Sequence, residues 1–389
     1  MYLDNEDEKM LAGEYGETRA KMMEILVALG KVFGAEELVP ITSAQISGAS
    51  YKTIGKWGLE WLRNLDASVA VPAVLNPIGM PRDRWQEMGI DPEFAGNQED
   101  VIKAYRKLGI KLECTCTPYY LNKTSYGEHL AWSESSAVVY ANSVIGARTN
   151  REGGPSALAA AIVGKTPSYG LHIVKNRMPE VAIQVEKGDG RHADHYGAIG
   201  YLAGKEIGNR IPLYTDIRPN RDSLKALGAA MAASGAVALF HVQGITPEAR
   251  IRETFRGNTS TMETITIEQS AIDDLFESMD VDAVALGCPH CSPDELSRLA
   301  ELLKGKKVTK PFYIFAARGV IESESRTVAA IEASGAKVYA DTCMVVSPGL
   351  DRFDSIMVNS GKALAYVPNM CGAEARLGTT EECVEVATS

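Results

Sequence analysis

Short apolar runs alternate with stretches of helical periodicity along most of the chain. Runs with the apolar pattern of strands cover residues 38–42, 68–75, 109–113, 181–186, 281–286, 312–316, 337–340 and 354–358. Apolar residues at helical spacing occupy the intervening residues 6–30, 54–62, 99–108, 138–147, 157–163, 197–204, 223–234, 293–303 and 323–333. Because strands that alternate with helices form parallel sheets covered by helices, the pattern predicts an α/β fold with largely parallel sheets.

Three of the predicted strands lead into a cysteine. These pairs are residues 109–113 with Cys116, 281–286 with Cys288, and 337–340 with Cys343. The carboxyl ends of parallel strands meet at one edge of a sheet, so we expect the three thiols to share a crevice. Three thiolates from distant segments suit an iron–sulfur cluster that keeps one iron open for substrate, because fully ligated electron-transfer clusters usually take four cysteines.

A zinc site is a second interpretation of the cysteines. Cys114 and Cys116 form one close pair, Cys288 and Cys291 form another, and two such pairs often bind zinc. The first pair is spaced more closely than is usual for zinc, and this arrangement leaves Cys343 without a role. From spacing alone both metal sites stay open.

The other cysteines are expected to be structural. The chain has seven cysteines, an odd number, and its first eight residues are acidic where a signal peptide would be basic and then apolar. Disulfide frameworks are typical of secreted chains, so we do not expect one here. If the cluster is present, we expect Cys114, Cys371 and Cys383 to be small buried apolar residues.

The overall charge limits the class of partner. The formal net charge is −10 and the sequence pI is about 5.3, whereas binding to phosphate backbones needs a basic face. No window reaches the roughly 18–20 apolar residues of a membrane span. We therefore expect a cytoplasmic protein that binds neither nucleic acid nor membrane. A small anionic substrate would need a local basic pocket.

Loops between strands and helices supply the candidate substrate-binding residues. Ser47-Gly-Ala-Ser50 stands between a strand and a helix, and Gly153-Gly-Pro-Ser156 opens an alanine-rich helix. Free N–H groups at such positions bind anions, and two nearby arginines could clamp a carboxylate or phosphate. The candidates are Gly48, Ala49, Ser50, Asn76, Pro77, Glu134, Ser135, Arg148, Arg151, Arg318, Ser360, Gly361 and Lys362. Many loops of this composition bind nothing, so a purely structural role stays an alternative.

His192, Asp194 and His195 resemble metal ligands by residue type. No second group of ligands lies at a suitable spacing from them. We therefore interpret this segment as the start of a helix.

The length of 389 residues predicts two or three α/β lobes, because a single core rarely grows so large. We place their approximate limits at residues 1–126, 127–280 and 281–389. The third lobe has the most regular pattern. In it Ser292-Pro-Asp-Glu295 is a capping box with proline at the first helical position.

Several motifs resemble those of the large subunit of the aconitase X family. They are Cys-Thr-Pro-Tyr at 116–119, Ala-Trp-Ser-Glu-Ser-Ser at 131–136, Gly-Ala-Arg-Thr-Asn-Arg-Glu-Gly-Gly-Pro at 146–155, Gly-Cys-Pro-His at 287–290, Asp-Thr-Cys at 341–343 and Asn-Ser-Gly-Lys at 359–362. The resemblance covers about residues 3–364. It implies an aconitase-like, multi-lobed α/β/α architecture that lacks the small swivelling domain. Members that carry that domain in the same chain are markedly longer, so a separate small subunit is implied as a partner.

The family resemblance also implies a reaction and a cofactor. Cys116, Cys288 and Cys343 are expected to hold a [4Fe-4S] cluster, which can be isolated as [3Fe-4S], and Cys291 is not an expected ligand. Residues 151–156 are similar to archaeal members, which implies dehydration of (R)-5-phosphomevalonate to trans-anhydromevalonate 5-phosphate in the modified mevalonate pathway of isoprenoid synthesis. The general base is expected to be a serine of the small subunit.

Two other functions stay open. Bacterial members of the family resemble cis-3-hydroxy-L-proline dehydratase, another hydro-lyase. The zinc interpretation of the cysteines is instead compatible with a scaffold or regulatory subunit that has no chemistry of its own. Metal and sulfide analysis separates this last alternative from both enzymes.

Overall fold

The computed structural model describes residues 1–121, 123–186, 193–251, 262–276 and 280–389. Within these ranges the strands form three parallel sheets and one antiparallel two-stranded ribbon. The predicted α/β fold with largely parallel sheets is therefore confirmed. None of the described helices is both long and apolar enough to cross a membrane.

The first part of the chain contains the ribbon and a four-stranded sheet. Its strands are β1 Leu38–Pro40, β2 Ala44–Ile46, β3 Ala73–Leu75, β4 Lys111–Cys114, β5 Ala131–Trp132 and β6 Lys165–Pro167. Its helices are α1 Asn5–Leu11, α2 Glu17–Val32, α3 Tyr51–Arg63, α4 Pro92–Lys107, α5 Ser135–Tyr140, which continues as a π turn at Ala141–Ile145, and α6 Gly154–Val163. The ribbon pairs β1 with β6, and the parallel sheet has the order β4-β3-β2-β5. Short β2 and β5 were not predicted.

The single helix predicted at residues 6–30 is wrong. The structure has two helices, α1 and α2, separated by a turn in which Gly13 and Gly16 have φ of 88° and 97°. These left-handed values favour glycine and cannot be part of an α-helix. The apolar face of α2 that carries Met22 and Leu26 is buried as predicted.

The middle part of the chain contains a second parallel sheet and its helices. Its strands are β7 Val181–Val185, β8 Pro212–Tyr214, β9 His241–Val242 and β10 Thr264–Ile267, in the order β10-β7-β8-β9. Its helices are α7 Ala193–Ile207, α8 Arg221–Ser234, α9 Pro247–Ile251 and α10 Gln269–Asp273. Asp194 and His195 lie in the first turn of α7, as the helix-start interpretation predicts. His192 lies outside the described residues.

The last part of the chain contains a five-stranded parallel sheet. Its strands are β11 Ala283–Cys291, β12 Phe312–Ala316, β13 Lys337–Tyr339, β14 Ser355–Val358 and β15 Glu374–Leu377, in the order β13-β12-β11-β14-β15. Its helices are α11 Pro293–Leu302, α12 Arg318–Ser323, α13 Ser325–Glu332, α14 Gly361–Met370 and α15 Thr380–Thr388. The predicted capping box at Ser292 is confirmed. Short 3₁₀ turns lie at Trp85–Met88, Pro118–Tyr120, Gly170–His172, Val174–Arg177 and Pro348–Leu350.

The third sheet is buried on both faces. Side chains of successive strand residues point to opposite faces, and in β11 Ala283 and Ala285 belong to the core shared with the middle part. Val284 and Leu286 belong instead to a separate core under the helices of the last part. This arrangement leaves the carboxyl ends of the strands as the edge where the sheet can form a site. The lobe limits expected from the sequence stay a prediction.

Candidate active site

A pocket lies where strand ends of the first and third sheets meet. Part of this pocket is open to solvent. Its lining residues are Asn76, Pro77, Cys116, Glu134, Cys288, Cys343, Val345, Val346, Lys362 and Tyr366. The structure thus places the three strand-end cysteines in one pocket.

Cys288 enters the pocket through an irregularity in β11. The register between β11 and β12 shifts between Leu286 and Cys291, and Gly287 in this stretch has φ of 98°. A Cβ atom at Gly287 would lie 2.2 Å from the carbonyl oxygen of Phe315. Only glycine therefore lets β11 bend here, and the bend ends the regular pairing next to Cys288.

Cys343 is positioned by a buried aspartate. Asp341, two residues earlier, is fully buried and has φ of 69°, a conformation that non-glycine residues rarely adopt. Its carboxylate accepts hydrogen bonds from Arg82 Nε at 2.8 Å and from the Arg318 guanidinium. Arg318 also pairs with Asp83 at 2.7 Å. The two arginines therefore hold the turn that leads to Cys343.

Backbone N–H groups are directed at two of the three sulfurs. The backbone N–H of His290 donates to Cys116 Sγ at 3.1 Å. Burial raises the pKa of the Cys343 thiol, and hydrogen bonds from the backbone of Val346 and Val345 oppose that rise. Such N–H donors stabilise a sulfur that carries charge.

Lys362 acts on all three thiols. Burial raises the pKa of Cys116 to about 12 and raises that of Cys288, while the charge of Lys362 lowers both values. Its charge also lowers the pKa of Cys343, although this effect is smaller than those of burial and of the two backbone hydrogen bonds. The thiols are therefore protonated in the free protein at neutral pH, and metal binding must release these protons.

Lys362 forms a buried ion pair with Glu134. The ammonium group donates to Glu134 Oε1 and, at 3.1 Å, to Ser136 Oγ, and both charged side chains are about 5% exposed. Burial alone would raise the pKa of Glu134, but the charge and hydrogen bond of Lys362 outweigh it and lower the pKa. Glu134 also caps α5 by accepting from the backbone N–H of Ala137. The pair therefore fixes one charge of each sign beside the thiols.

The donor set fits an iron–sulfur cluster. Three buried thiols would supply the ligands, and the N–H groups directed at sulfur and one fixed cation would offset the negative charge of a thiolate-bound cluster. In the part of the chain that the structure describes, no group of three or more His, Cys, Asp or Glu side chains is arranged to hold a single metal ion. A cluster does not need that arrangement, because each thiolate binds its own iron. The cluster ligands stay a prediction.

The four cysteines of the zinc interpretation are not brought together. Cys114 packs in the core of the first part, and Cys291 packs in the core beneath the helices of the last part. Neither lines the pocket that contains Cys116 and Cys288. Cys114, Cys371 and Cys383 are buried, as expected for structural cysteines.

Asn76 and the loop of residues 47–50 provide polar groups at the pocket. Asn76 Oδ1 is buried without a hydrogen-bond partner among the described residues, so it can accept a hydrogen bond from a ligand. Ser50 Oγ donates to the carbonyl oxygen of Val346 at 3.0 Å, and Gln98 Nε2 donates to that of Ala49 at 2.9 Å. The loop is thus fixed against the lining residue Val346.

Several predicted substrate-binding residues lie at the mouth or beside the pocket. The Ser135 hydroxyl and Arg151 Nη2 each lie 3.5 Å from the Tyr366 hydroxyl. Ser360 caps α14 and its hydroxyl donates to the carbonyl oxygen of Cys288. Gly361 packs against the backbone of Gly197. Ser360 and Gly361 therefore position Lys362, which follows them directly.

Arg148 and Arg318 were predicted to bind substrate, but neither lines the pocket. Arg148 lies beside His129, whose pKa is lowered by burial and then by the charge of Arg148. Arg318 is engaged by Asp341 and Asp83. A strand-end arginine looks the same in sequence whether it faces a ligand or a buried carboxylate.

Tyr366, Val345 and Val346 line the pocket and were not predicted. Tyr366 lies four residues after Lys362, so helical spacing from Lys362 could have located it. Val345 and Val346 carry no polar signal. His290, which is fully buried, was noted only as part of a motif, and burial lowers its pKa to about 4.

Adding a methyl group at Gly154 is expected to disturb the loop of residues 47–50. A Cβ at Gly154 would lie 2.6 Å from the carbonyl oxygen of Ser47, whereas a Cβ at Gly153 has no contact closer than 3.7 Å. Gly154→Ala should cost about 1–3 kcal/mol of stability through overpacking and reduce substrate affinity. Gly153→Ala, the matched control, should cost about 1 kcal/mol or less at the N-cap. Thermal unfolding and substrate titration of both variants check this prediction, and equal effects would contradict it.

Comparisons with known proteins identify similar chains. The phosphomevalonate dehydratase large subunit of Methanosarcina mazei is 56% identical over 100% of this chain and 97% of its own length. The cis-3-hydroxy-L-proline dehydratase of Pseudomonas aeruginosa is 34% identical over 99% of this chain and 70% of its own length. The crystal structure of Thermococcus kodakaraensis aconitase X in its holo-form superposes with a TM-score of 0.91 at 45% identity and covers 100% of both chains.

Family models divide the chain into three consecutive domains. The aconitase X first domain matches residues 1–175, the second domain residues 179–277 and the third domain residues 281–389. Together they span nearly the whole chain, including every residue that lines the pocket. The chain belongs to the aconitase X family.

Proposed function

We propose that this chain is the large subunit of a phosphomevalonate dehydratase. The reaction is the dehydration of (R)-5-phosphomevalonate to trans-anhydromevalonate 5-phosphate, and it depends on an iron–sulfur cluster of the [4Fe-4S] type. Full-length relatives at 45–56% identity, from Methanosarcina mazei and three other archaea, carry this name. The observation that carries the proposal is the pocket in which three buried cysteines meet the Glu134–Lys362 ion pair.

Cys116, Cys288 and Cys343 are the residues that would hold the cluster. When bound, the cluster supplies a Lewis acid that favours departure of a hydroxide from a hydroxy acid. The thiols line one pocket and are buried, which protects such a group from bulk water. Lys362 provides a positive charge beside them without competing as a ligand.

Polar groups around the pocket orient the substrate. Asn76 Oδ1 accepts a hydrogen bond from a substrate hydroxyl, which would satisfy an atom that has no partner among the described residues. The backbone of Gly48, Ala49 and Ser50 leads into the short first turn of α3, which is interrupted at Gly55 by a non-helical φ of 62°. We assign the N–H groups of this loop to an anionic end of the substrate. Arg151, which is exposed at the mouth, provides a second positively charged contact.

A small subunit completes the enzyme. The relatives from Methanosarcina mazei and Methanocaldococcus jannaschii are named large subunits, which supports a partner chain. The solvent-open side of the pocket is where a covering domain would exclude water and add the general base, which we assign to a serine of that partner. In this arrangement the large subunit binds and polarises the substrate, and the partner removes the proton.

Turnover by the anaerobically reconstituted two-subunit enzyme tests the proposal. We expect phosphomevalonate to be converted to a dehydrated phosphorylated product, detected by mass spectrometry and phosphorus NMR. cis-3-Hydroxy-L-proline serves as the competing substrate. The proposal is contradicted if hydroxyproline is dehydrated while phosphomevalonate is unchanged. A colourless preparation with one zinc per chain and no iron or sulfide would support the scaffold alternative instead.

A further inference from the structure

His290 lies two residues after Cys288 and is fully buried. Its ring Nε2 is 2.9 Å from the carbonyl oxygen of Thr342, and its Nδ1 is 2.9 Å from Thr115 Oγ1. Thr342 immediately precedes Cys343, and Thr115 immediately precedes Cys116. One imidazole ring therefore contacts the neighbours of the two other cysteines.

The chemistry of these contacts determines the direction of each hydrogen bond. A carbonyl oxygen only accepts, so Nε2 carries the ring proton and donates to Thr342. In the neutral ring Nδ1 then accepts, and the Thr115 hydroxyl donates to it. Thr115 Oγ1 in turn accepts from the backbone N–H of Thr117 at 3.0 Å. Both ring nitrogens of His290 and the Thr115 hydroxyl therefore have hydrogen-bond partners whose donor and acceptor roles are mutually consistent.

A third contact comes from the main chain of the same residue. The backbone N–H of His290 donates to Cys116 Sγ at 3.1 Å. The segment of Cys288 is therefore joined to the segment of Cys116 twice, once through the backbone and once through the ring. It is joined to the segment of Cys343 through Nε2.

We propose that His290 is the positioning residue that sets the relative placement of the three thiols, and thereby the rate at which a bound cluster loses iron. This inference rests on the proposed function, because it assumes that the three cysteines hold the cluster. Cys288 and Cys343 follow strands of the third sheet, whereas Cys116 follows β4 of the first sheet. Among the described residues, the bridge between Ile78 and Thr342 is the strand-type pairing that joins the segments after these two sheets. Residues that orient metal ligands through hydrogen bonds typically change metal affinity by about 10–100-fold.

Two substitutions at His290 separate its two ring contacts. His290→Gln retains a donor close to the position of Nε2 but loses the acceptor at Nδ1, whereas His290→Asn retains a polar group near Nδ1 but does not reach Thr342. Both should release iron about 10-fold faster or more when a chelator is added to the anaerobically reconstituted protein. His290→Asn should also show a changed electron paramagnetic resonance spectrum after oxidation, because the Cys343 segment is no longer held.

A milder pair of variants keeps the inference testable if the changes at His290 prevent folding. Thr115→Val removes the hydroxyl that donates to Nδ1 at nearly constant volume, and Thr115→Ser retains it. We expect faster iron release from Thr115→Val and rescue by Thr115→Ser. The matched control is His241→Gln, because His241 is also buried and its Nε2 lies 2.8 Å from the carbonyl oxygen of Arg177, in the middle part of the chain.

The measured quantity is the rate of iron release, compared with thermal stability for each variant. A purely structural role predicts that His241→Gln and the His290 variants lose stability alike and release iron at the wild-type rate. That result, with a cluster present in the wild type, would overturn the inference alone. Wild-type protein that takes up no iron and sulfide would overturn the proposed function, and the inference with it.

Discussion

Replacing Cys288 with alanine is expected to abolish dehydration and to prevent stable cluster assembly. Cys288 is 4% exposed and supplies one of the three thiols in the pocket, so its loss would leave a second iron, besides the open one, without a protein ligand. Removing a Lewis acid that contributes several kcal/mol to transition-state stabilisation should lower turnover by at least about 10³-fold. Iron analysis and turnover after anaerobic reconstitution measure both effects.

Cys383→Ala is the matched control for this prediction. Cys383 is also buried, but it lies in α15 and packs in the core beneath the helices of the last part. Its replacement should cost on the order of 1 kcal/mol of stability and leave iron content and turnover per folded molecule unchanged. If Cys288→Ala retained wild-type iron and activity, the assignment of this cysteine would be wrong.

Replacing Lys362 with methionine is expected to have the second largest effect. The change leaves the Glu134 carboxylate buried without its partner, which typically costs about 3–5 kcal/mol of stability. It also removes the positive charge that lowers the pKa values of all three thiols. We expect turnover to fall by about 10²–10³-fold, as for other fixed charges in active sites.

A double variant separates the two consequences. Combining Glu134→Gln with Lys362→Met removes both charges, so most of the lost stability should return. Turnover should stay low, because the cation beside the thiols is still missing. If both stability and turnover recovered, the role of the Lys362 charge in catalysis would be contradicted. If neither recovered, the role of the Glu134–Lys362 ion pair in stability would be contradicted.

The pH dependence of stability follows from the same pair. The pKa of Glu134 in the folded protein lies below its usual value and that of Lys362 lies above its usual value. The pair therefore stabilises the fold above about pH 4.3, the ordinary pKa of glutamate, and below about pH 10.4, the ordinary pKa of lysine. Its contribution is lost as the pH falls below the first limit. Urea unfolding should accordingly show the largest difference between wild type and Lys362→Met near neutral pH.

The three cysteines could be located from sequence because strand ends have a simple sequence pattern. Each follows an apolar run, and parallel strands place their carboxyl ends at one edge. The same argument predicted Asn76, which follows β3 and lines the pocket. Glu134 also lines the pocket, but it was a candidate only as a loop residue and not as the end of a predicted strand. The short strand β5 itself was missed, because two buried residues carry no periodicity.

The roles of the charged residues could not be predicted in the same way. Lys362, Arg318 and Arg148 all stand near strand or helix ends, yet only Lys362 lines the pocket. Arg318 is held by Asp341, which is adjacent to it in the fold and 23 residues away in sequence. Sequence spacing contains no information about such a pairing, since it depends on how two strands align.

The break between α1 and α2 illustrates a further limit. Apolar residues continue at helical spacing through the turn, but Gly13 and Gly16 adopt left-handed backbone conformations. Glycine tolerates a helix interior at a cost of about 1 kcal/mol, so its presence alone does not reveal the break.

The content of iron and acid-labile sulfide in the anaerobically reconstituted chain tests the central claim most directly. We predict equal amounts of iron and sulfide, about four of each per chain, which fall together when Cys116, Cys288 or Cys343 is replaced. A chain that binds zinc without sulfide, or that keeps its full iron and sulfide after all three cysteines are replaced, would contradict the account.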